Sequence, residues 1–163
     1  MVSLLRSLLA LYGMYALYQK YVLGSSKKQE DADPDRVWKV AEEMPLYGLH
    51  SSNPRLSNYS KSKMEADGRM LDYIYHHLEY PLAAEKDDKE AIAVVSFIVE
   101  LDGSVTNVRL VSDPGYGMGQ AAISVAEKLR DSGHRWRPGY RKGRPVRVEY
   151  PIPIKFSRST TFK

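Results

Sequence analysis

The chain has 163 residues, 43% of them hydrophobic and 27% charged, which suits one domain with extensions and does not suit a wholly disordered protein. It contains no cysteine, so disulfides, thiolate metal sites and a cysteine nucleophile are excluded. The net charge of +4 is unevenly spread: Arg130 to Lys163 holds ten Lys or Arg and two acids, giving that stretch +8 and the remainder −4.

Residues 1–23 carry only two charged side chains, Arg6 and Lys20, with Tyr12, Tyr15, Tyr18 and Tyr21 recurring about once per helical turn. The run reaches the ~20 residues of a spanning helix only if Arg6 and Lys20 extend to the two membrane interfaces. A membrane anchor is the expectation; a signal peptide cleaved near Gly24–Ser26 and an organellar targeting segment are the alternatives. Lysines on the far side (Lys20, Lys27, Lys28) balance Arg6, so the positive-inside rule assigns no orientation. Residues 24–36 are a polar linker punctuated by Pro34; the dozen residues 24–35 reach at most roughly 40 Å when extended. Residues 37–69 read as an extended lead-in, with Leu49 to Asp67 as an inserted polar loop.

Leu71, Ile74, Tyr75 and Leu78 share one face of a helix that Pro81 closes. From Ala91 to Leu101 every odd position is apolar, which predicts a strand with one buried face. Asp102–Gly103 is expected as a two-residue hairpin turn, and the return strand as Ser104 to Ser112. After a loop over residues 113–119, Ala122, Val125, Ala126 and Leu129 form the stripe of a second helix, with Gly119 as its N-cap and Gly133 just past its end. Val146, Val148, Tyr150, Ile152, Ile154 and Phe156 alternate with polar residues and prolines in a last strand. The order helix, then β-β-α-β, predicts an α+β domain over 70–157, a small antiparallel sheet with helices packed on one face, followed by a basic tail at 158–163.

Nothing in the sequence supplies a catalytic or metal-binding constellation. None of the four histidines, His50, His76, His77 and His134, makes an H-E-x-x-H, and neighbours on a helix such as His76 and His77 point apart. Gly115-Tyr-Gly117-Met-Gly119 opens a helix after a strand, but it lacks the third glycine of G-x-G-x-x-G and any Walker lysine. A binding protein without cofactor or metal is expected, not an enzyme. The basic C-terminal end reads first as a solvated face and, functionally, as a surface for an acidic partner or anionic lipid. No nucleic-acid-binding motif accompanies it.

An ordered set of motifs resembles the TonB C-terminal domain: Tyr80-Pro81 with Ala84, the strand-turn-strand VVSFIVELDGSVTNVRLV around Asp102 and Gly103, the Ala-rich helix, Trp136-Arg-Pro138-Gly139, and Gly143-Arg-Pro145-Val146 leading to IPIKF. The lead-in Val37 to Gly48, ending EEMPLYG, resembles that of Bacteroidetes-type members. The resemblance implies a protein in the bacterial inner membrane facing the periplasm, binding a membrane receptor or transporter. In the family an extended partner segment adds to the edge of the last strand. Carried over, this names His77, Leu78 and Glu79 and the strand from Arg147 through Val148, Glu149 and Tyr150. It gives Trp136 a place in the core, Pro138-Gly139 a turn, and Gly143 a close backbone approach before Pro145. The chain has no long Pro-rich linker and no histidine in the anchor, which leaves an alternative: a structural or assembly subunit of a membrane complex, bacterial or mitochondrial, that keeps the fold without energy transduction.

Pro151 and Pro153 have no N–H and would point it to the same side of the last strand. That side is expected to be the open sheet edge or a bulge. Peptide pairing is then confined to Val146–Tyr150 or weak, and recognition falls to Arg141, Lys142, Arg144 and Arg147.

Overall fold

The strands with the clearest alternation form the centre of the sheet. The computed structural model describes residues 35–49 and 56–157; the expected anchor, most of the linker and the tail lie outside them. Among the described residues no helix is long and apolar enough to cross a membrane. The elements are β1 (Val37–Trp38), β2 (Leu46–Tyr47), α1 (Tyr59–His77), α2 (Leu82–Lys86), β3 (Ala91–Val99), β4 (Val105–Ser112), α3 (Met118–Asp131), β5 (Trp136–Arg137), β6 (Gly139–Arg141) and β7 (Arg144–Phe156).

The main sheet runs β1-β7-β3-β4, with β6 paired to the start of β7; β2 and β5 form a separate two-stranded ribbon. β3 and β7 pair antiparallel without a break from Ala91↔Phe156 to Val99↔Val148. Their inward residues, among them Val95, Phe97, Val148, Ile152, Ile154 and Phe156, are buried. Met70 and Ile74 of α1 and Met118, Ala122, Val125, Ala126 and Leu129 of α3 pack on that face in one core. This is the α+β arrangement the sequence predicts.

Several local expectations are corrected. α1 begins at Tyr59, where Asn58 caps it by accepting the Lys61 N–H at 3.0 Å, so residues 59–67 are helical and not loop. The first half of α1 hides its inward face behind a polar residue: Asp67 is buried because Lys63, at 2.5 Å, and the Tyr150 hydroxyl, at 3.2 Å, satisfy its carboxylate. Desolvation still raises the Asp67 pKa against the opposing pull of Lys63.

The two hairpins exchange roles. Asp102 does not have positive φ; Gly103 alone does, at +78°. Gly103 N–H bonds Glu100 O, and Glu100 N–H bonds Ser104 O, which makes a three-residue loop, 101–103, with glycine in the left-handed place. β3 therefore stops at Val99, and Leu101 is exposed. The two-residue turn is instead Lys142–Gly143 between β6 and β7, where Arg141 pairs Arg144 and both central residues have positive φ. A Cβ on Gly143 would meet nothing within 4 Å, so Gly143 serves the turn and no close approach. The close approach belongs to Gly103, whose added Cβ would sit 2.0 Å from the Trp136 carbonyl oxygen.

α3 is capped by Gly117, not Gly119. Gly119 lies inside the first turn, where a Cβ would fall 2.5 Å from the Asp113 carboxylate. The strand-side acid thus occupies the space at the helix N-terminus and suits its dipole.

Candidate functional site

The outer edge of β7 divides into two parts. Pro151 and Pro153 stay in the unbroken ladder opposite Ser96 and Val94 of β3, which is possible only if their missing N–H groups lie on the other side. Lys155, of the same parity, sends its N–H to that side, to the Tyr75 hydroxyl at 3.3 Å. No strand pairs this stretch on the outside among the described residues. Two absent donors and one already engaged make it a poor template for strand addition.

The stretch without these prolines is occupied. Val146 pairs Gly139 of β6, while Arg147 and Val148 pair Val37 and Trp38 of β1 in parallel. β6 is closed in turn by the Glu43–Tyr140 bridge, with N···O distances of 3.1 and 2.8 Å. The pairing expected to be open over Val146–Tyr150 is therefore filled by the chain itself at 146–148.

Side chains fix β1 in place. The Trp38 ring lies between two guanidinium groups, Arg36 at 3.9 Å and Arg141 at 3.8 Å from its centroid. Arg147 donates Nη1 to the Asp35 carbonyl at 2.7 Å and holds Glu100 with Nε at 2.6 Å and Nη2 at 3.0 Å. The Arg147 hydrogen bond holds the Glu100 carboxyl below its ordinary pKa. A lowered acid pKa stabilises the folded state above the ordinary glutamate range, and that contribution is lost as pH falls through the folded value. Glu100→Gln is therefore expected to lower the urea midpoint at pH 7 and to change it little near pH 2, checked by equilibrium unfolding at both.

The remaining residues named from sequence scatter. Val148 and Tyr150 are buried, and their parity turns their backbone groups toward β3, so neither offers a partner a side chain or an outward hydrogen bond; the Tyr150 ring stacks on Phe97 at 5.9 Å. Glu149 pairs with Arg109 of β4. The Lys142 N–H donates to Glu42 at 3.0 Å, and Arg144 is exposed at the start of β7. His77 stacks on Tyr73 at 4.1 Å, and Glu79 meets Lys128 of α3 at 2.7 Å. Both face the α3 side, whereas Leu78, the C-cap of α1, packs on the core. The α1 residue against the β7 edge is Tyr75.

Tyr80 donates to Lys89 O at 2.5 Å and sets its ring edge on Phe156. Pro81 caps α2 and lies under Gly117. Trp136 is buried among Tyr47, Phe97 and Tyr150 at 5.2–5.4 Å between ring centroids. Pro138 links β5 to β6, Gly139 packs against Val148, and Pro145 sits opposite Tyr140.

Sequence reasoning missed Arg36, Trp38, Glu100 and Tyr75. Two-residue strands have no periodicity to detect, and β1 meets β7 across more than a hundred residues. The one available signal was a tryptophan in a lead-in otherwise read as extended.

Residues 76–157, half of the chain, match the family model described as Gram-negative bacterial TonB protein C-terminal. No curated protein sequence matches. Among solved structures the chain is similar to two NMR structures of the Helicobacter pylori TonB C-terminal domain. One is 21% identical, covering 58% of this chain and 84% of that one at a TM-score of 0.42. The other is 22% identical, covering 53% and 89% at 0.38. With the motif set in place from Tyr80 to Phe156 and the family match spanning it, the chain belongs to the TonB C-terminal family of Gram-negative bacteria.

Proposed function

We propose that this chain is a TonB-like adaptor or energy transducer of the bacterial envelope, held in the inner membrane by residues 1–23 and facing the periplasm. It catalyses no reaction. It captures an extended segment of a membrane receptor or transporter at the β7 edge, with Arg141, Lys142, Arg144 and Arg147 steering the approach. The observation that carries this reading is the placement of those four cations at and just before the stretch of β7, Val146–Tyr150, that precedes Pro151 and Pro153.

A second reading rests on the same edge. Because β6 and β1 already fill Arg144–Val148, the fold also suits an assembly subunit that keeps the domain closed and binds through its surface. Isolation of the full chain from membranes separates the two. Co-purification with an outer-membrane transporter and a proton-driven motor supports capture. Stable stoichiometric isolation inside another complex supports the assembly role.

A further inference from the structure

We infer that β1 is a built-in, displaceable occupant of the capture edge, and that the partner segment replacing it runs parallel to β7 and carries an aromatic residue that stacks on Arg141. The inference rests on reading the β7 edge as the capture surface, and it specifies what that edge accepts.

The case begins with the weakness of β1. It contributes two bridges, Val37↔Arg147 and Trp38↔Val148, to a sheet whose β3–β7 ladder has nine. Val37 and Trp38 are only partly buried, whereas Val148 beneath them is fully buried. An element with few buried apolar contacts opens locally while the core stays folded. Among the described residues no strand pairs this edge beyond Glu149: Pro151 and Pro153 come next, and then a Lys155 N–H bound to Tyr75.

The contacts of β1 define its replacement. Residues 147 and 149 share the parity of the two prolines, so their backbone groups point outward to any strand there. Arg147 fixes the strand's path, because Glu100 holds two of its nitrogens and aims Nη1 at a backbone carbonyl, now that of Asp35. Any extended segment offers that carbonyl. Arg141 supplies the side-chain preference, since a guanidinium 3.8 Å from a ring centroid favours an aromatic face over an aliphatic chain. The opposite edge, β4, is a weaker candidate: its pairing with β3 shifts register twice, and Asn107 has a φ of +52°, bulges that disrupt an edge.

The probe is a synthetic peptide copying residues 35–41, with a second peptide carrying Ala in place of Trp. Both are titrated into the full chain and into its Trp38→Ala variant. In the variant the Arg147 and Glu149 amides should exchange faster than in the unsubstituted chain, and the Trp peptide should restore their protection. The Trp peptide should bind the variant at least about tenfold more tightly than it binds the unsubstituted chain, where the tethered strand competes at high effective concentration. The Ala peptide should bind neither. No binding by the variant, or unchanged exchange at Arg147 and Glu149, overturns the inference.

A second measurement needs no variant. In the unsubstituted chain the Trp38 amide should exchange at least about tenfold faster than Val95 or Ile152 in the central ladder. Exchange of Trp38 only together with those residues overturns the inference. Peptide exchange without transporter co-purification would remove the capture reading and leave displacement standing. Co-purification without peptide exchange would remove displacement alone.

Discussion

Trp136→Ala is expected to lower the unfolding free energy by about 3–5 kcal/mol, the range for truncating a large buried aromatic. The ring is 1% exposed and meets Tyr47, Phe97 and Tyr150. It therefore ties the β2–β5 ribbon, the central strand and the last strand together, and no neighbour can collapse into its space without leaving another. Its Nε1–H finds no hydrogen-bond partner among the described residues. Trp136→Phe removes that unsatisfied donor while keeping an aromatic ring in place, so it should cost less than half as much as alanine. Urea midpoints of the three proteins check both statements.

Gly103→Ala should cost about 3–5 kcal/mol, combining positive-φ strain with overpacking. The backbone there has a φ of +78°, and the new methyl would lie 2.0 Å from the Trp136 carbonyl oxygen. That carbonyl cannot move freely, because the Trp136 N–H donates to Gly103 O at 3.0 Å. Gly143→Ala is the control. It shares the positive φ, +73°, but meets open space, so only the conformational cost of about 1–2 kcal/mol remains. Equal losses at the two positions would show that the hairpin tip does not press on the Trp136 backbone.

The parts of this fold that were legible in the sequence are those with a repeat to count. β3 and β7 alternate over many residues, and α3 presents an unbroken apolar stripe. The parity of Pro151 and Pro153 was enough to assign the free side of β7, since a proline cannot donate to a ladder whatever its neighbours. The parts that were not legible depend on partners distant in the chain. Asp67 reads as a solvated acid until Lys63 and Tyr150 are placed beside it. An Asp-Gly pair suggests a two-residue turn, but the pressure of Trp136 on Gly103 goes with a longer loop, and the shorter turn formed at Lys142–Gly143. At the site, the cations Arg141, Lys142, Arg144 and Arg147 were visible as a charge run. What they hold was not: Trp38 and the Asp35 carbonyl reach them only after the chain folds back on itself.

The capture surface can be tested by replacing single residues with a photo-cross-linking amino acid in the full chain, at Arg144 beside the β7 edge and at Val111 on the exposed side of β4. Irradiation in native membranes should join the Arg144 position to a receptor or transporter, with a yield that falls as ionic strength rises because the approach is steered by cations. The Val111 position should give little of that product. A cross-link formed from Val111 and not from Arg144, or one insensitive to salt, would contradict capture at the β7 edge.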